Sequence, residues 1–118
     1  MGRPKIDYRM QDVIDKALEY TTEETGVTLQ EMQGKCRIEP FAKARFIYEF
    51  ALMEATPLTM EEIGRRINRD HATVWSGYNR AKEIFVVDKE FFIQALTVLD
   101  KVEEYIERRE KILNFETL

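Results

Sequence analysis

The sequence predicts an all-α fold: a helix-turn-helix bundle of about five to six helices ending in one long C-terminal helix. Three observations predict it. Apolar residues recur at helical spacing along the chain, and the alternation of a half-buried strand is absent. Two T-x-x-E capping boxes, Thr28 with Glu31 and Thr59 with Glu62, mark helix starts. The stretch from Thr59 to Lys82, TMEEIGRRINRDHATVWSGYNRAK, reads as two short helices joined by a tight polar turn.

Each element follows from its residues. A first helix is expected from about Met10 to Thr25, with Val13, Ala17 and Tyr20 or Ile14 and Leu18 inward and Gly26 as its stop. Thr28 opens a short helix that stops at Gly34, and residues 35–39 form a basic loop. Pro40 suits the first turn of a third helix, which runs to about Ala55 with Phe46, Ile47, Phe50, Leu52 and Met53 as its apolar face. Pro57 blocks continuation. Ile63 and Ile67 then face the core from the first helix of the motif. Asn68 supplies the left-handed residue that a sharp stop needs. Asp70 caps the second helix, whose Val74, Tyr78 and Ala81 fall on one face.

The last helix is expected over about Lys89 to Leu113. Phe85, Phe92, Leu99, Ile106 and Leu113 recur at heptad spacing, with Ala95 and Val102 three residues beyond two of them, the spacing of a coiled-coil seam. Phe92, Leu96 and Leu99 are expected to pack on the domain's own core. The narrow stripe beyond them suits a partner helix, so a homodimer through the C-terminal helix, about 95–113, is expected. Arg109 stands at a seam position where an apolar residue belongs. The organisation is then a flexible N-terminus over 1–9, a helix-turn-helix unit over 10–88, and a packing and dimerisation helix over 89–118.

Composition excludes several classes. A chain of 118 residues supports one modest core. There is no apolar run long enough for a membrane span and no secretory leader, and the single cysteine, Cys36, allows no internal disulfide. A cytoplasmic location is the simple reading. One histidine and one distant cysteine make no metal site. No phosphate-binding G-x-x-x-x-G-K-[ST] loop and no nucleophile–base pair are visible, so no nucleotide, no cofactor and no enzymatic activity are expected. The net charge of −4 argues against nucleic acid until its distribution is read. The segment from Lys35 to Lys82 is net basic, and both flanks are acidic. One positive face can then meet phosphates.

The motif residues carry a resemblance. Glu62-Ile63-Gly64, followed by Arg69-Asp70-His71-Ala72-Thr73-Val74, resembles the signature E-I-G-x-x-F-G-G-R-D-H-T-T-V of the C-terminal DNA-binding domain of the bacterial replication initiator DnaA. The resemblance runs from about Ala17 to Ala81 and implies double-stranded DNA as the partner. It implies base contacts from Asp70, His71 and Ala72 at the start of the recognition helix, and from Arg37 in the adjacent minor groove. Asp70 is also the helix cap, and Ala72 replaces a threonine of the family. Lys35, Lys43, Arg45, Arg69 and Thr73 are implied backbone contacts. Arg65 and Arg66 are either backbone contacts or solvated, and Asn79 and Arg80 extend the same face. Trp75 is read first as core and second as a sugar-phosphate contact. Glu39 stands where the family is basic. Only Asn68 separates Ile67 from Arg69, where the family has two small residues, a change that can shift the recognition helix. The function expected is sequence-specific DNA binding in transcriptional or replication control. The alternative is an interaction protein that keeps the fold and binds a partner through its last helix.

Overall fold

The computed structural model describes residues 10–116, with side chains through residue 114; the stretch 1–9 lies outside the described residues. Six helices occur among them: α1 (Gln11–Thr25), α2 (Leu29–Gln33), α3 (Glu39–Ala55), α4 (Met60–Arg65), α5 (His71–Phe85) and α6 (Lys89–Glu116). No described residue is in a strand, and no helix is long and apolar enough to cross a membrane.

Local chemistry sets the boundaries. Gly26 ends α1 in the left-handed conformation at φ 76°, its N–H bonded to Thr22 O at 2.8 Å. Both capping boxes form, at Thr28/Glu31 and Thr59/Glu62. Asn68 is the one described non-glycine residue at positive φ, 57°, where the stop requires it. Ile67, expected on the helix, lies in the turn after α4, yet it is wholly buried.

α3 is the centre of the bundle, packed against α1, α5 and α6. Its burial is broader than an apolar stripe, because every residue from Ile47 to Leu52 is buried, Tyr48 and Glu49 included. The Tyr48 hydroxyl donates to Ile63 O at 2.8 Å, which satisfies it inside the core. Both alternative faces of α1 are used: Val13, Ile14, Ala17 and Leu18 are all buried.

α6 corrects the expected phase. Its core face is Phe91, Ala95, Val98 and Val102, while Phe92 is 38% exposed. That face packs against α3 and α1. The heptad seam therefore dissolves: Ala95 and Val102 are core, and Ile106 packs against it. Beyond Val102, Tyr105 and Arg109 turn to α1 and both donate to Asp12 Oδ2, at 2.6 and 2.8 Å. Arg109 at a seam position is thereby explained. Burial pushes Asp12 up, but the hydrogen bonds from Tyr105 and Arg109 outweigh it, and the carboxyl lies below its usual range. Among the described residues, only Ile112 and Leu113 remain as exposed large apolar residues in this distal part.

Candidate nucleic-acid interface

The second helix of the motif, α5, begins at Asp70. Its carboxylate accepts from the Thr73 N–H at 2.8 Å, and that bond, with the Thr73 hydroxyl, holds Asp70 below its usual pKa. The cap leaves His71, Ala72 and Thr73 exposed on the first turn of α5. Val74, Gly77, Ala81 and Ile84 form the buried face. Trp75 falls outside that face and is 50% exposed, with Tyr78 beside it at 5.9 Å between ring centroids. The expectation that Trp75 packs in the core is thus overturned: Val74 takes the slot, and the next residue points about 100° away.

Contact between α4 and α5 is close because of one glycine. A β-carbon at Gly64 would lie 2.2 Å from Arg69 O and 2.8 Å from a Val74 methyl. Arg69 N and Ile67 N both donate to Gly64 O, at 2.9 and 3.1 Å, so the shortened turn is closed by its own backbone.

The basic loop stands beside this turn. Lys35 and Arg37 are exposed. Together with Asn68, Arg69 and Thr73 they line a cavity of about 600 Å³. The structure thus brings the loop cations and the first turn of α5 to one place.

Other expected contacts are positioned differently. Arg45 is buried and points into the loop. Its Nε donates to Met32 O at 2.7 Å and its Nη2 lies within hydrogen-bond distance of Glu31 O, Gly34 O and Cys36 O. Its guanidinium is engaged with the carbonyls of the loop it organises. Lys43 bridges Glu39 and Asp88, at 2.7 and 2.8 Å, beside the start of α6. Asp88, then Glu39, hold its ammonium above the usual pKa. The physical reason is spacing, because residues two apart on a helix point in nearly opposite directions and cannot share one face. Arg66 pairs with Asp15 on α1. Arg69 is half-buried, with Nη2 donating to Gly34 O at 2.6 Å and Nη1 to Ile67 O at 3.0 Å. Arg65 and Arg80 are exposed and pair along their own helices with Glu61 and Glu83. Asn79 is half-buried and donates to Trp75 O.

One residue at the cavity went unread in the sequence. Glu49 is buried, its Oε1 has no hydrogen-bond partner among the described residues, and a β-carbon at Gly77 would lie 1.9 Å from that oxygen. Burial drives its pKa up, against the pull of Arg69 and Arg45. A lone acid inside the apolar run FIYEFAL was its only signal.

Residues 14–81 match the bacterial DnaA protein helix-turn-helix family, more than half of the chain. The chain belongs to that family. Its DnaA-type motif is the α4–turn–α5 unit described above. Chromosomal replication initiator proteins DnaA from Streptococcus uberis, Streptococcus equi subsp. zooepidemicus and Streptococcus pyogenes serotype M5 are each 31% identical to it over 78 residues. That span is 65% of this chain and 17% of each of those proteins. The chain thus corresponds to a small part of the DnaA relatives it matches.

Proposed function

We propose that the protein binds double-stranded DNA sequence-specifically and acts in replication or transcriptional control, in the cytoplasm at the nucleoid. The observation that carries this is the side-by-side exposure of the first turn of α5 and the Lys35/Arg37 loop. A capped helix N-terminus reads base edges in a major groove, and a neighbouring arginine suits the adjacent minor groove. His71, Ala72 and Asp70 are the proposed major-groove residues and Arg37 the minor-groove one. Lys35, Thr73, Arg65 and Arg80 are proposed to meet phosphates, with Trp75 against a sugar. Residues 10–88 form the proposed DNA-binding unit.

Selection of bound duplexes from a random pool, followed by fluorescence anisotropy across a salt series, tests this reading. Affinity should fall steeply with salt. His71→Ala should cost about 1–3 kcal/mol on the selected site and much less on random duplex. Equal loss on both would sink base reading by His71.

A second reading, self-association through α6, draws on exposed Ile112 and Leu113. Sedimentation equilibrium at micromolar concentration decides it. A 14.0 kDa monomer unchanged by Ile112→Asp rules it out.

A further inference from the structure

The loop and the turn of the motif are tied to each other by side chains from both sides. Gln33 Nε2, at the end of α2, donates to Arg66 O at 2.9 Å, and Asn68 Nδ2 donates back to Gln33 O at 3.3 Å. Gly34 O, where the loop begins, accepts from Arg69 of the turn at 2.6 Å and from Arg45 of α3 at 3.1 Å. Arg45 further holds Met32 O and Cys36 O, so the backbone on both sides of Lys35 is fixed. A planar guanidinium with five donors can hold several carbonyls at once, whereas a lysine ammonium has three donors and no fork. Hydrogen bonds from charged groups are the stronger kind.

We infer that Arg45, Arg69 and Gln33 form a spacing clamp. They are positioning residues that fix the distance between the Arg37 loop and the recognition helix, and so fix how far apart the minor-groove and major-groove parts of the DNA site must lie. The inference rests on the DNA-reading role proposed above. A loop free to move would let Arg37 follow its contact when the two parts of a site are separated. A clamped loop cannot, because one added base pair shifts the minor-groove part by about 3.4 Å along the axis and rotates it about the helix.

The test compares two duplexes for each protein. One carries the selected site, and the other carries the same site with one base pair inserted between the edge whose preference is lost in Arg37→Ala and the part read by α5. The readout is the ratio of the two dissociation constants, which a general loss of folded protein does not move. The full chain should bind the expanded site about tenfold more weakly, close to the loss seen for Arg37→Ala on the selected site. In Gln33→Ala the ratio should fall to roughly threefold or less, because the bonds between α2 and the turn are cut on a half-buried side chain. Arg45→Lys should lower it at least as far. Where Arg45→Lys fails to fold, as judged by circular dichroism, Gln33→Ala alone decides.

A ratio that stays at about tenfold in folded Gln33→Ala and Arg45→Lys overturns the clamp while leaving DNA reading intact. So does a full-chain ratio near one. A protein that selects no preferred sequence overturns the DNA reading and the clamp with it.

Discussion

The bundle has two sides built on different principles. On the α1–α6 side, Val13, Ala17, Phe91, Ala95, Val98 and Val102 are buried apolar residues, the buried Thr21 hydroxyl donates to Ala17 O of its own helix, and at the rim Asp12 receives Tyr105 and Arg109. On the side of α2, α4 and α5, the buried set includes Arg45, Glu49 and Glu62, and contacts run through carbonyls, caps and two tightly approached glycines. Apolar burial is non-directional. Hydrogen bonds and backbone contact fix direction. The side proposed to meet DNA is thus the side whose geometry is specified by directional contacts.

Predictions that break this contrast come in order of size. Phe91→Ala, at a site 1% exposed, should cost about 3–5 kcal/mol in denaturant unfolding, the range for a buried aromatic. Provided the variant is studied where it is folded, its preference among DNA sequences should be kept. Lost preference at full occupancy of the fold would show that the two sides are not separable.

Gly64→Ala should cost about 1–3 kcal/mol, because the new methyl meets a backbone carbonyl that has little room to move. Unlike Phe91→Ala, it should reduce discrimination between selected and random duplex, since relief requires Arg69 and α5 to shift. Unchanged discrimination, measured by anisotropy, would mean that the helix position is not set at Gly64.

Glu49→Gln should act through pH. Burial raises Glu49 above its ordinary value of 4.5. The folded chain therefore keeps a proton that the unfolded chain releases. This part of the stability is whole below pH 4.5 and declines as pH rises toward the raised value. The glutamine variant should show a flatter decline over that window by thermal unfolding. A slope identical to that of the parent chain would place the titration elsewhere.

The smallest effect is at the rim of the apolar side. Arg109→Ala should cost under about 1 kcal/mol at neutral pH, as partly exposed ion pairs do. The Asp12 carboxyl is held below 3.8, so its contribution is present above that pH and lost as pH falls below it. A difference between parent and variant that persists at pH 2 would assign the cost to lost packing of the arginine stem.

Legibility in the sequence divides along the same line. Helix ends were readable because capping is local: Thr28, Thr59, Asp70, Gly26 and Asn68 all do what their residue types indicate. The motif was readable because its spacing is local as well. The rotation of α6 was not, since choosing Phe91 over Phe92 depends on how closely α3 approaches. Nor were the partners of Lys43, Arg45 and Arg66 within the chain. Asp88, Cys36 O and Asp15 are brought to these cations by tertiary packing, which local spacing does not encode.

Trp75 gives the protein an optical consequence. The chain has one tryptophan, and it stands half exposed on α5, four residues beyond His71, away from the α1–α6 seam. Its emission colour is governed by the water around the indole, so unlabelled protein carries its own reporter on the side proposed to meet DNA. A blue shift or quench on titration with duplex reads occupancy of that surface directly.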